Sequence, residues 1–222
     1  MTEEGVRALY PLLCKPDAYF GRYEHAGDVE KELGLDASGW DAPRAFCVAD
    51  FKRWVGERGI RPRHTLCTWR EDPELVFLPS EATTEIRYDG VANDLHALDL
   101  PEKDYDFVLF SQTLEHLSNP GLALRNLRKH MCEGGHIFTS VPFVNIPHSV
   151  PFHFQHFTPM GLATLFVLNG FEVLEVGFWG NMEYIHRLFY DRKWPGIHEL
   201  SSVKNEVDRS VQCWILARKP EK

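Results

Sequence analysis

Glycine is absent between Gly59 and Gly90. A strand-helix-strand nucleotide site usually carries a glycine-rich turn after its first strand, because glycine lets the backbone approach phosphate closely. In this chain that cradle is missing or remodelled. Positive charge is also short: 24 Lys and Arg face 32 Asp and Glu, for a net charge of -8. The basic residues are scattered and the pI is near 5.8, which argues against a nucleic-acid partner and a membrane-surface patch. No apolar run approaches the roughly 20 residues of a membrane span. The cysteines (Cys14, Cys47, Cys67, Cys132 and Cys213) are odd in number and form no CxxC pair. Reduced thiols, a cytoplasmic location and no zinc site are the expectation. The acidic start, MTEEG, lacks a signal peptide's basic-then-apolar order. There is no internal repeat and no low-complexity linker.

What is present is enough for one sizeable core with a small appendage: 222 residues, 44% of them hydrophobic. Asp28–Leu33 reads as a short helix stopped by Gly34. Residues 43–58 read as a longer one, with Pro43 in its first turn and an apolar stripe of Phe46, Phe51, Trp54 and Val55. Residues 1–60 are therefore expected to form a helical N-terminal arm packed on the core, with Tyr19, Phe20 and Tyr23 as packing residues or, in the alternative, lining a site. Residues 61–222 are expected to form an α/β core. HTLCTW (64–69), ELVFLP (74–79) and TEIRYDG (84–90) are candidate strands, followed by ANDLHAL (92–98). A helix from Thr158-Pro159 to Gly170 precedes two strands, 171–179 and 211–218, separated by an aromatic-rich insertion near 180–205. Strand after strand at the end, following alternating strand and helix, points to a mostly parallel sheet with a terminal antiparallel strand.

The best-punctuated stretch is Asn93–Pro142. YDFVLF (105–110) is a short apolar run suited to a strand buried on both faces. A polar turn, SQTLEH, follows. Ser118-Asn119-Pro120 opens a helix with a capping side chain and a proline whose missing N–H is not needed there. Leu124, Leu127 and Met131 give that helix one apolar face, and Gly134-Gly135 is read as its stop. HIFTSVP (136–142) is the next strand. In an open parallel sheet, ligands sit beyond the carboxyl ends of strands, so the polar loops after 110 and 142 fall where a ligand is expected.

Taken together and in order, NDLHALDLP (93–101), YDFVLFSQTLEHL (105–117) and LRKHMCEGGHIFTSVP (127–142) resemble a class I S-adenosylmethionine-dependent methyltransferase. The likeness is to the methyltransferase type 11-like group that includes many sugar and polysaccharide O-methyltransferases, here with a degenerate glycine-rich motif. The resemblance implies a Rossmann-like sheet and S-adenosyl-L-methionine as cofactor, leaving as S-adenosyl-L-homocysteine. It implies cofactor contacts from Asp94, Leu95, Gln112, Glu115 and His116. Asp89 is the best match for the acid that binds the ribose hydroxyls, with Glu85 as the alternative. Trp69 stands in the place of the missing glycine loop. HSVPFHFQHFT (148–158) resembles the acceptor side of glycan-type members, with His153 where an acid is common and His156 where an Arg is common.

Methyl transfer to a sugar hydroxyl needs alignment and proton removal, and a base poised near neutral pH serves the second need. His148 is the first candidate for that base and His153 the second. His156, Phe154, Trp179 and Tyr184 are candidate substrate contacts, the aromatic ones by stacking on a sugar's apolar face. His153 and His156, three apart, could instead share a helix face as ligands of a divalent metal. No acid accompanies them in that segment, so the base role is preferred. The partner expected is a small-molecule or glycan acceptor. Two other readings stand open: a methyltransferase-like binding module without turnover, and a methyltransferase acting on a small metabolite.

Overall fold

The computed structural model describes residues 5, 7–15, 21–87, 94–101, 104–149 and 152–221. The expected ribose acid Asp89 and the aromatics Tyr19 and Phe20 lie outside these residues. Among the described residues six strands form one sheet: β1 (His64–Cys67), β2 (Ala82–Glu85), β3 (Tyr105–Leu109), β4 (Met131–Pro142), β5 (Glu172–Trp179) and β6 (Gln212–Arg218). Their order is β2-β1-β3-β4-β6-β5. The pairs among β1 to β4 are parallel, and β6 runs antiparallel to both β4 and β5. This is the Rossmann-like, mostly parallel sheet with a terminal antiparallel strand that the element pattern implies.

Both faces of the sheet are covered. Phe107 and Leu109 of β3, Phe138 of β4, and Trp214 and Leu216 of β6 belong to one apolar cluster. Their alternate neighbours Val108, Ile137, Cys213 and Ile215 belong to the other. The period of two sends successive side chains to opposite faces, and each face finds helices to pack on. Helix α3 (Ala42–Glu57) covers the first face, and Phe46, Phe51, Trp54 and Val55 are all buried there. The Asp41 side chain caps its start by accepting the Arg44 N–H. Helix α2 (Ala26–Leu33) packs against it and ends at Gly34, whose φ of 70° is the left-handed stop expected of glycine. Helix α4 (Pro120–His130) and helix α5 (Pro159–Leu168) cover the second face. Helix α1 (Tyr10–Leu13) is one turn, and helix α6 (Met182–Tyr190) follows β5 within the aromatic-rich insertion.

Three expectations need correction. Residues 74–79 are not a strand. Pro73–Phe77 is a 3-10 turn, with Val76 exposed and Glu74 buried. It stands in the crossover between β1 and β2, where no α-helix forms. The strand expected at 84–90 lies earlier, at Ala82–Glu85. The glycine pair does not stop α4. That helix ends at His130 and β4 starts at Met131. Gly134, at φ 76°, instead lies in a bulge where the β3–β4 register jumps from Tyr105↔Met131 to Phe107↔His136. A Cβ on Gly135 would lie 3.0 Å from the Cys132 carbonyl oxygen.

Gly180, just past β5, meets a much closer approach. An added Cβ would lie 2.1 Å from the Arg209 carbonyl oxygen and 2.5 Å from the Val211 nitrogen. These are backbone atoms and cannot swing away. Gly180→Ala is therefore expected to cost about 1–3 kcal/mol or more, measured by urea unfolding. An unchanged midpoint would contradict this close approach.

Candidate active site

The parallel strands β1, β3 and β4 deliver their carboxyl ends to one edge. Beyond β3 the chain stays paired with β4: Phe110 donates its N–H to Phe138 and Gln112 to Ser140. Gln112 adopts φ 50°, rare for a residue with a side chain, and its amide donates to the Ser140 hydroxyl at 3.1 Å. Such strain persists where the surroundings enforce it, often at functional sites. A 3-10 turn, Leu114–His116, follows.

Two cavities meet at Gln112. The first, about 480 Å³, is lined by Thr68, Ile86, Asp94, Leu95, Gln112, His116 and Phe154, among others. Its walls are mainly apolar. The loop that brings Asp94 and Leu95 to it is held by α4: the Asn126 side-chain amide donates to the Leu95 and His96 carbonyls at 3.1 and 2.7 Å. The Asp94 carboxylate accepts the His96 N–H and pairs with that ring at 2.9 and 2.7 Å. The second cavity, about 250 Å³, is lined by Asp41, Arg44, Gln112, Asn145, His148, Tyr184, Trp194 and Gln212, among others.

Four histidine rings run in a chain from the seam, where His116 lines the first cavity and His148 the second. The His116 and His148 ring centroids are 5.0 Å apart, His148 and His153 4.6 Å, and His153 and His156 4.7 Å. Burial first, with repulsion from neighbouring imidazoles, holds His116, His153 and His156 below the ordinary histidine range, the Phe152 carbonyl opposing at His116. Burial thus favours the neutral form of all three rings. The loop carrying His148 includes Ser149, a second left-handed residue at φ 51°.

Behind the seam lies a set of buried acids. Glu115 is fully buried, both of its carboxyl oxygens lack a hydrogen-bond partner among the described residues, and burial raises its pKa to about 8. Asp72 is raised to about 7 by burial and then by Glu74, with Arg44 opposing. Glu74, also raised by burial, accepts the Ser111 hydroxyl at 2.9 Å. Arg44 reaches Asp72 at 4.0 Å and lines the second cavity.

The structure brings most of the expected site residues together. Asp94, Leu95, Gln112 and His116 line the first cavity, as does Phe154, expected on the acceptor side. His148 and Tyr184 line the second. Glu115 lies beneath them, without lining either cavity. Trp69 is half-exposed and absent from the cavity wall, which its neighbour Thr68 lines. Trp179 is also displaced from its expected role. It is buried, stacks on Phe46 at 4.9 Å and donates its indole N–H to the Val203 carbonyl. Glu85 ends β2 and accepts the Arg70 N–H at 3.2 Å. Arg44, Asp72, Glu74 and Asn126 were not foreseen. They are polar residues of helix and turn; Asp72, Glu74 and Asn126 are buried and Arg44 is half-buried, and nothing in their local pattern marks them.

Residues 29–176 match the model of a family described as a methyltransferase domain. The chain belongs to that family. It is a methyltransferase that uses S-adenosylmethionine. No curated protein sequence matches the chain. Solved structures share its fold at low identity. One is the Burkholderia thailandensis 1,6-didemethyltoxoflavin-N1-methyltransferase with bound 1,6-didemethyltoxoflavin and S-adenosylhomocysteine, at 15% identity and TM-score 0.54, covering 88% of this chain and 86% of that one. A second is an S-adenosylmethionine-dependent methyltransferase from Thermotoga maritima, at 15% identity and TM-score 0.51, covering 86% and 99%. A third is the [4+2]-cyclase SpnF, at 12% identity and TM-score 0.53, covering 99% and 95%. The first cavity fits the cofactor. Its volume is that of a small-molecule site, it lies beyond the strand ends, and neither Trp69 nor Arg70 fills it. Arg70 turns away to the Thr83 carbonyl at 2.8 Å.

The buried acids give the methyltransferase a pH signature. Folded Asp72 keeps a proton up to about pH 7, whereas the unfolded chain releases it near pH 4. Its contribution to stability is therefore full below pH 4, falls as pH rises to 7 and is flat above. Asp72→Asn should flatten that part of the profile by on the order of 1 kcal/mol per pH unit. Urea unfolding of both proteins from pH 4 to 8 checks it. Parallel profiles would contradict the raised value.

Proposed function

We propose that this protein methylates a hydroxyl of a carbohydrate or glycan acceptor. The supporting observation is the pair of cavities joined at Gln112 with imidazoles at the seam. Thr68, Asp94, Leu95, Gln112 and His116 hold the cofactor in the first cavity, with Ile86 and Leu95 against its apolar surface. When bound, S-adenosylmethionine supplies an activated methyl group. Gln112, shared by both cavities, aligns the two reactants, and Phe154 closes the rim.

The acceptor enters the second cavity. Asp41, Arg44, Asn145 and Gln212 offer it donors and acceptors at fixed positions. Trp194, anchored by its indole N–H on Asn145 at 3.0 Å and still partly exposed, offers a ring face. That mixture of polar groups and an amphipathic ring suits a sugar. The small volume takes one ring and leaves the rest of a glycan outside. His148 lines this cavity and takes the hydroxyl proton as general base, with His153 and His156 behind it. The open first cavity favours an enzyme over a binding module.

The test is transfer of a labelled methyl group to a panel of sugars, phenols and small acids. Sugars are expected to be labelled; labelling confined to phenols or acids would overturn the acceptor class. His148→Ala should bind S-adenosylhomocysteine as the parent does and lose turnover by about 10²–10⁴-fold. Unchanged turnover would remove His148 from the chemistry.

A further inference from the structure

We propose that His116, His148 and His153 form a three-imidazole site for a borderline divalent metal ion, zinc first, at the seam between the two cavities. A ring nitrogen from each lies within 4.8 Å of those of the other two. The rings stand nearly perpendicular, at 85°, 76° and 88°, so none lies flat over another.

Two of the rings are already held as ligands are held. His116 donates Nδ1–H to the Phe152 carbonyl at 2.7 Å, and His148 donates Nδ1–H to the Ile146 carbonyl at 3.2 Å. Each bond selects the tautomer with a lone pair on Nε2. Outer hydrogen bonds of this kind orient metal-bound histidines. His153 Nε2 is buried with no partner among the described residues. Glu115, fully buried with both carboxyl oxygens unpartnered among the described residues, lies 3.9 Å from His116 Nε2. A cation at the seam would give that buried carboxyl group a counter-charge. Three nitrogens suit zinc and its transition-metal neighbours, whereas magnesium and calcium take oxygen. The cysteine count spoke against zinc, but these ligands are histidines gathered from two loops.

Loading requires movement. Zinc–nitrogen bonds of about 2.0–2.1 Å need closer nitrogens than the present spacing. His153 Nδ1 also accepts the His148 N–H at 3.2 Å. Coordination through Nε2 moves that ring's proton to Nδ1 and gives up this contact. Three ligands leave one position open, as in catalytic zinc sites. Its use rests on the acceptor reading above: a hydroxyl bound there loses its proton more readily, and His156, beside His153, is the next group to receive it. His148 then acts as a ligand. His148→Ala loses turnover on either account, so activity does not separate them.

Direct titration does. Chelator-treated full-length protein is titrated with cobalt(II) and zinc chloride, followed by the visible cobalt spectrum and by calorimetry. One equivalent is expected to bind with a tetrahedral cobalt band that zinc erases. His116→Ala, His148→Ala and His153→Ala should each weaken binding at least about 10–100-fold. His186→Ala, on the exposed face of α6, should leave it intact. Where an alanine variant fails to fold, the parent's own titration decides. No saturable binding by the parent, or equal binding by the triad variants, overturns the site. S-adenosylhomocysteine is titrated into the same samples: metal bound without it sinks the cofactor reading alone, and the converse sinks the metal alone.

Discussion

Two backbone hydrogen bonds past the end of β3 organise the candidate site. Phe110 N–H to Phe138 and Gln112 N–H to Ser140 continue the β3–β4 ladder beyond the strand proper. They hold Gln112 at φ 50° between the two cavities. The 3-10 turn that follows buries Glu115 and turns His116 outward. The Phe154 N–H then donates to the Glu115 carbonyl at 2.8 Å, fastening the histidine loop to the same turn. The sheet register thus sets the distance between the two loops on which the proposed chemistry depends.

The seam combines two kinds of burial. The acids Asp72, Glu74 and Glu115 are pushed up in pKa, and three of the histidines are pushed down. Both shifts have the same leading cause, which is the loss of water around a charge. The result is a region rich in titratable groups whose charged forms burial disfavours. Such a region is costly to bury unless something uses it.

The middle of the fold was legible because every local signal agreed. The aromatic run at 105–110, the Asn119-Pro120 cap and the leucine spacing of α4 all favour the same β-α-β unit. Misreadings fell where a signal serves two structures. A glycine pair supplies left-handed residues to helix ends and to bulges alike, and Gly134 serves a bulge. The six-residue run at 74–79 is too short for periodicity to separate a strand from a turn. In the site, the grouping of His148, His153 and His156 was visible in sequence. That His116 joins them was not, because the contact depends on strand register. Trp179 misled because its amphipathic ring suits a sugar, whereas Phe46, far away in sequence, buries it.

The central claim is that the cofactor occupies the cavity beyond β1 and β3 despite the missing glycines. Titrating S-adenosylhomocysteine calorimetrically into the parent and into Thr68→Trp, which fills that cavity from the end of β1, tests it most directly. Saturable one-to-one binding by the parent, lost in a folded Thr68→Trp, is the predicted result. No binding by the parent at millimolar ligand, or equal binding by both proteins, would contradict it.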